Sequence, residues 1–183
     1  KGIAKPSNQL GILPAFGWTL QADDSRFGIG YGLIAIAGFR TDNPEVPGSI
    51  LFDRPTLGGF GRIYTDHRVV KIPLALSYKA SDKLTVALSL NGYVGELAIA
   101  PLPNGVYDTV GDDSTRYYPH GDGLSSSYAV SVQPGFLYRV NDMIAIGGSL
   151  TTAQNFDPFE WNSTFAHPDD PNFGKHRLLE YDL

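Results

Sequence analysis

The fold is decided by the segment Ile72-Pro-Leu-Ala-Leu-Ser-Tyr-Lys-Ala-Ser-Asp-Lys-Leu-Thr-Val-Ala-Leu-Ser-Leu90, which predicts two β-strands joined by a tight turn. Apolar residues alternate with small or polar ones on both sides of the turn, at Ile72, Leu74, Leu76 and Tyr78 and then at Leu84, Val86, Leu88 and Leu90. A period of two with one apolar face is typical of a β-strand. The turn, residues 79–83, is polar and short, as hairpin connections are.

The hairpin pattern recurs along the chain. Residues 138–150 align with residues 78–90 without a gap, and a looser copy covers residues 10–33. Each copy has a proline, an aromatic residue near the turn and an aspartate in the turn: Pro14, Trp18 and Asp23, then Pro73, Tyr78 and Asp82, then Pro134, Tyr138 and Asp142. The sequence therefore predicts three hairpins of one design.

Composition limits the class of protein. With 183 residues the chain is long enough for one domain, predicted to span 1–183, and its 21 glycines and 13 prolines favour an all-β fold. The absence of cysteine excludes disulfides, thiolate metal sites and a cysteine nucleophile. A net charge of −5 argues against a nucleic-acid partner. No apolar run reaches the roughly 18 residues of a transmembrane helix, but barrel strands give a much weaker signal.

The connections between the hairpins are long, at about 40–65, 101–125 and 155–174. Antiparallel pairing would put all tight turns at one end of the sheet and all long loops at the other, which is the arrangement of outer-membrane barrels with short periplasmic turns and long extracellular loops. The alternating segments also have the length of membrane-crossing strands. We therefore predict an antiparallel transmembrane β-barrel whose apolar face meets lipid. A soluble β-sandwich that buries this face stays open as the alternative.

Three segments of the sequence resemble a known family: Ile12-Leu-Pro-Ala-Phe-Gly-Trp18, Leu74-Ala-Leu-Ser-Tyr-Lys-Ala-Ser-Asp-Lys-Leu-Thr-Val86 and Gly135-Phe-Leu-Tyr-Arg-Val-Asn-Asp142. In these the chain resembles the outer-membrane long-chain fatty acid and hydrocarbon transporters, the FadL/TodX-like family. The resemblance implies that the chain supplies about six or seven central strands of a fourteen-stranded barrel, without the N-terminal hatch and the C-terminal half. Missing segments or partner chains would then close the barrel.

The resemblance also implies a function. Members of that family capture a hydrophobic ligand between two long extracellular loops and release it sideways through a kink in the third strand. Those loops would be about 99–125 and 154–175 here, and the third strand about 26–39. The expected protein is a passive channel in the bacterial outer membrane, without catalysis, cofactor or metal. Its partners would be a hydrophobic small molecule and outer-membrane lipid or lipopolysaccharide.

Two sets of residues are the candidate sites. Phe156, Phe159, Trp161 and Phe165 are large aromatic residues in a polar loop and are predicted to bind the ligand, unless the loop packs on itself. Four glycines in one strand mark a bulge, a bend or a close approach. The glycines are Gly28, Gly30, Gly32 and Gly38. The family resemblance implies that they form the lateral opening; the alternative is that they face a crowded barrel lumen.

The other clusters of polar residues give weaker evidence for a functional site. One loop holds Asp112, Asp113, His120 and Asp122, and another holds His167, Asp169 and Asp170. They could hold a hard cation, but solvated acidic loops are commoner, so no metal is predicted. The triplet Asp66-His67-Arg68 is expected to form surface ion pairs. No nucleophile elbow or carboxylate pair indicates an enzyme. The alternative function is a surface β-protein that does not transport: an adhesin, a structural protein or a ligand-binding sandwich.

Overall fold

The computed structural model describes residues 12–102, 107–108, 110 and 116–182 and is all-β over that part of the chain. One short 3-10 turn, Pro55–Leu57, is the only helical element described. The strands are β1 (Ala15–Gln21), β2 (Phe27–Asn43), β3 (Ile63–Lys79), β4 (Leu84–Ala100), β5 (Gly121–Arg139), β6 (Ala145–Ser149), β7 (Phe159–Thr164) and β8 (His176–Tyr181).

The first six strands form one antiparallel sheet in the order β1-β2-β3-β4-β5-β6. The three predicted hairpins are confirmed as β1–β2, β3–β4 and β5–β6. The repeat extends to the turn chemistry. Ser81 Oγ accepts the N–H groups of Lys83 and Leu84, and at the aligned position Asn141 Oδ1 accepts those of Met143 and Ile144.

The long strands run further than the alternation predicts. β2, β3 and β4 have 17 residues each and β5 has 19. The predicted loops at 40–65 and 101–125 are therefore shortened at their ends, and the predicted loop at 155–174 contains β7. β8, near the end of the described residues, does not join the six-stranded sheet but pairs with β7 in a separate two-stranded sheet.

The sheet has an apolar face without a covering layer among the described residues. A row of paired residues crosses five strands on this face, from Trp18 through Tyr31, Leu74 and Leu90 to Val132. Large apolar side chains on this face are exposed in all six strands, including Leu20, Ile29, Leu76, Leu88, Phe136 and Ile146. Leu74 is 53% exposed and Ile146 is 55% exposed, so neither lies in a dry interior.

The opposite face, here called the cap face, is partly covered by a short segment of the chain that folds back onto it. This cap consists of residues 154–158, β7, β8 and their connection. It lies on β4 and β5 at the end where the long loops are. Backbone N–H groups of Asp157 and Glu160 donate to Tyr128 O and Ser125 Oγ, at 3.1 and 2.9 Å. A small core forms beneath it from Leu97, Leu102, Phe159 and Trp161.

The two faces exchange polarity along the strands. On β3, the apolar face changes from Ile72 and Val70 to Arg68 and Asp66, while the cap face changes from Lys71 to the buried Val69. On β4, the cap face likewise passes from Asn91 to the apolar pair Leu97 and Ile99 under the cap. The apolar face is thus confined to the half of the sheet nearer the tight turns.

Candidate functional site

A cleft opens where β2 loses its regular pairing. The register between β2 and β3 shifts between Ala35 and Ala37, which marks a β-bulge. On the other side of β2, the last described hydrogen bond to the preceding chain runs from Ala35 N–H to Pro14 O, at 2.9 Å. The edge of β2 beyond Ala35 is therefore without a paired strand among the described residues, because β1 begins only at Ala15.

The cleft at this edge has a volume of about 830 Å³ and two kinds of lining. Toward the tight turns its lining is apolar, with Leu33, Ile72 and Val94. Toward the loops it is charged, with Asp66, Arg68 and Glu96. A ligand in this cleft would meet hydrocarbon at one end and ions at the other.

The charged end of the cleft is held by a fork of hydrogen bonds. Arg68 Nε and Nη2 donate to the two carboxylate oxygens of the buried Asp66, at 3.0 and 2.8 Å, and Nη1 lies 3.9 Å from Glu96. His67 lies between them in sequence but contacts the ring of Phe159 on the cap face, with centroids 6.5 Å apart. The triplet Asp66-His67-Arg68 is thus divided between the two faces.

The four glycines predicted at the lateral opening occupy two environments. Gly28, Gly30 and Gly32 lie in the regularly paired part of β2, opposite Gln21, Thr19 and Gly17. A Cβ on Gly32 would lie 2.7 Å from Phe16 O, so close strand packing requires glycine there. Gly38 follows the register shift and lines the cleft, where its Cβ would lie 3.0 Å from Leu13 Cδ2.

The four aromatic residues predicted to bind ligand also lie in different environments. Phe159 is 1% exposed and Trp161 is 4% exposed, and their rings stack 6.0 Å apart in the core beneath the cap. Phe156 is half-buried and packs edge-on against Tyr93. Phe165 lies apart from them, under the guanidinium of Arg177. Phe159 and Trp161 thus hold the cap on the sheet, and a contact with ligand stays a prediction.

A buried ion pair fastens the cap to the preceding long loop. Arg177 donates from Nη1 and Nη2 to Oδ1 and Oδ2 of Asp108, at 2.7 and 3.0 Å, and Asp108 Oδ2 also accepts the N–H of Ala166. Beside this pair, His167 is buried against the ring of Tyr117, with centroids 5.0 Å apart. The two long loops therefore form one connected unit.

The acidic clusters are only partly placed by the structure. Asp112 and Asp113 lie outside the described residues. His167 Nδ1 accepts the N–H of Asp169, and Asp170 Oδ1 accepts that of Asn172, so both groups stabilise a turn. Over the described ranges no group of three or more His, Asp or Glu side chains has the arrangement of a metal site.

The glycines of β2 predicted a bulge, a bend or a close approach in this strand, but not its position: the register shift falls at Ala35-Ile36-Ala37, which contains neither glycine nor proline. Sequence reasoning missed the Asp108–Arg177 pair. The ion pair joins residues 69 positions apart, beyond the reach of any local pattern.

None of the family models, curated proteins or solved structures compared with this chain matches it. The site therefore rests on its geometry alone. No helix in the described part of the chain is long and apolar enough to cross a membrane.

Proposed function

We propose that this chain is the central part of an outer-membrane β-barrel that admits hydrophobic small molecules by passive diffusion, as the FadL/TodX-like proteins it resembles do. The observation that carries the proposal is the distribution of apolar side chains. Large apolar groups are exposed on one face of all six strands, while the other face bears mostly small and polar groups, with exceptions such as Leu137 and Phe39, and the cap. A soluble sheet buries its apolar face, whereas a barrel strand in lipid turns it outward.

The height of the apolar face supports a membrane position. On β4 the apolar face runs from Leu84 to Val94, which at a rise of about 3.3 Å per residue is about 33 Å of strand. At the usual barrel tilt of roughly 35–45° this corresponds to an apolar band about 25 Å tall, the height of such bands in outer-membrane barrels. The charged groups at Asp66, Arg68 and Glu96 lie beyond the band, on the loop side.

The cleft at the register shift supports lateral release. Its apolar end opens at the level of Leu33 and Ile72 on the face proposed to meet lipid, and just beyond it, past Ala35, this edge of β2 has no strand partner among the described residues. A hydrophobic molecule that leaves through this edge would pass directly from the cap face to acyl chains. The cap, held by Asp108 and Arg177, would close the loop end of the passage.

The experiment is expression of the full-length protein in a Gram-negative host. We expect it in the outer-membrane fraction, soluble only with detergent and migrating differently in electrophoresis before and after heating. Uptake of a radiolabelled alkane or long-chain fatty acid should rise with its expression. Recovery of a monodisperse protein without detergent would overturn the proposal and favour a soluble surface β-protein.

A further inference from the structure

Three arginine side chains lie together on the outer side of the sheet, just beyond the band proposed to meet lipid. Arg40 is on β2, Arg68 is on β3, and Arg62 comes directly before β3. Arg40 is paired with Asp66, which lies two residues from Arg68 on the same strand, so all of these side chains share the face that is apolar further down. The three arginines are called the arginine patch below.

A carboxylate and an aromatic ring fix the part of the patch that is furthest from the band. Arg62 Nε and Nη2 donate to the two carboxylate oxygens of Asp42, at 2.7 and 2.8 Å. The guanidinium carbons of Arg40 and Arg62 lie 5.5 and 4.7 Å from the ring centroid of Tyr64. The guanidinium groups are thus held in place before any ligand binds, which lowers the entropy cost of binding one.

Guanidinium groups, rather than carboxylates, form the outer surface of the patch. Three acidic side chains balance its formal charge, but they are less exposed than their partners. The side chain of Asp42 is 21% exposed against 55% for Arg62, and that of Asp66 is 6% exposed against 52% for Arg68. Arg68 Nη1 lies 3.9 Å from Glu96, too far for a hydrogen bond, so its N–H groups can serve a ligand.

The patch lies at the depth of lipid head groups in the proposed orientation. Arg68 is two residues beyond Val70, the last apolar residue of the band on β3, and Arg40 is level with Asp66, four residues beyond it. At about 3.3 Å per residue and a tilt of roughly 35–45°, their backbones lie about 5 and 10 Å above the band. The head-group layer is about 5–8 Å deep on each side of a bilayer, so these long side chains reach lipid phosphates.

The same face offers a surface for acyl chains directly below the patch. Leu33, Ile72 and Leu74 are exposed large apolar residues there. The cleft connects the two regions, because Arg40 and Arg68 line its charged end while Leu33 and Ile72 line its apolar end. A lipid on this face can therefore bind through its head and its chains at once.

We propose that the arginine patch binds the phosphorylated head of lipopolysaccharide, with acyl chains of the lipid A part on the apolar face below. Guanidinium groups bind phosphate oxygens through paired N–H donors, and three of them match a head with two phosphates better than the single phosphate of a phospholipid. The proposal rests on the proposed function, which puts the long loops outside the cell and so the patch in the outer leaflet. It deepens that function by naming the lipid beside the cleft.

The test is equilibrium binding of lipid probes to the full-length protein in a nonionic detergent. Four probes are compared: diphosphoryl lipid A, lipid A without its phosphates, phosphatidylglycerol and inorganic pyrophosphate. The variant combines Arg40→Gln with Arg68→Gln. The matched control is Arg54→Gln, at an arginine that is 57% exposed in the loop between β2 and β3 and lies 3.8 Å from Glu45. If heat-dependent electrophoretic migration shows that the variant is not folded, adding Asp66→Asn removes the carboxylate that it leaves buried.

We expect diphosphoryl lipid A to bind the parent protein and Arg54→Gln equally, and the double variant at least roughly tenfold more weakly, as for the loss of charged hydrogen bonds. Equal binding to the folded double variant would overturn the proposal. Lipid A without phosphates binding as tightly as diphosphoryl lipid A would overturn the role of the phosphates. Phosphatidylglycerol binding as tightly would overturn the assignment to lipopolysaccharide, and pyrophosphate binding as tightly would overturn the contact with acyl chains.

This outcome is independent of transport. Lipid A binding that depends on Arg40 and Arg68 in a protein without uptake activity would keep the arginine patch and reject the channel. Uptake by a protein whose lipid A binding does not depend on these arginines would keep the channel and reject the patch.

Discussion

Arg177 holds both carboxylate oxygens of Asp108 with two nitrogen atoms, at 2.7 and 3.0 Å, and so joins the cap to a loop 69 residues earlier. Asp108 is buried and the side chain of Arg177 is only 18% exposed. The pair is thus shielded from solvent, unlike the exposed pair of Arg54 and Glu45 at 3.8 Å.

Removing one partner of the buried pair should release the cap. We expect Arg177→Met to destabilise the cap by about 3–5 kcal/mol, because it leaves the carboxylate of Asp108 buried without its cation. Hydrogen exchange at the amides of β7 and β8 measures this. The control Arg54→Met should change stability by at most about 1 kcal/mol. Unchanged protection of β7 and β8 in Arg177→Met would refute the role of the pair.

The aromatic core under the cap should act through packing. Phe159 is buried, and its ring lies 3.3 Å from the position of a Cβ on Gly95. We expect Phe159→Ala to cost about 3–5 kcal/mol of cap stability. Phe173→Ala, at an exposed aromatic residue of the same cap, should cost far less. Protease digestion of the two variants compares them, and equal resistance would argue against the packing role.

The cleft at the register shift should control release. Gly38 lines the cleft, so the ring of Gly38→Phe is expected to occupy it, where the new Cβ would already lie 3.0 Å from Leu13 Cδ2. We expect uptake of a radiolabelled hydrophobic probe to fall severalfold while the amount of folded protein in the membrane stays constant. Gly92→Phe, on the apolar face, is the control, since a Cβ there has only an ordinary contact of 3.9 Å with Ile72 O. Equal uptake by both variants would show that the cleft is not part of the uptake pathway.

A charge on the apolar face should oppose insertion. Leu88 is 54% exposed at the middle of the proposed lipid-facing band, so Leu88→Arg should destabilise the protein in a bilayer by about 2–4 kcal/mol. The neighbouring Ala87 lies on the cap face, and Ala87→Arg should cost less. Urea titrations of the full-length protein in phospholipid vesicles give both values. A larger cost at Ala87 would mean that the two faces are assigned the wrong way round.

The sequence predicts the hairpins because their signals are local. Alternation identifies the strands around residues 79–83, and the polar turn residues Ser81 and Asn141 form the hydrogen bonds that turns of this kind need. The same alternation separates the apolar face from Lys71 and Gln133. These features follow from neighbours within a few positions along the chain.

The ends of the strands nearest the long loops could not be predicted, because the polarity of the two faces reverses there. From Asp66 to Arg68 the charges lie on the same face as Ile72 and Leu74, so a search for one constant apolar face ends the strand too early. The pairing nevertheless continues, as between Phe39 and His67. The candidate aromatic residues were identified by type, but their burial depends on how the cap folds back on the sheet.

The reversal of polarity near Val70 has a consequence for how deep the protein would sit in a bilayer. A shift of about 7 Å (two residues of strand) toward the side of the tight turns would carry Arg68 and then Asp66 toward hydrocarbon, while the same shift toward the long loops would lift Val70 into water. Either displacement would raise the free energy, so a sheet inserted in a bilayer would have one preferred depth. Lys71 and the cleft beside Ala35 would then lie at a fixed depth, close to where acyl tails give way to head groups.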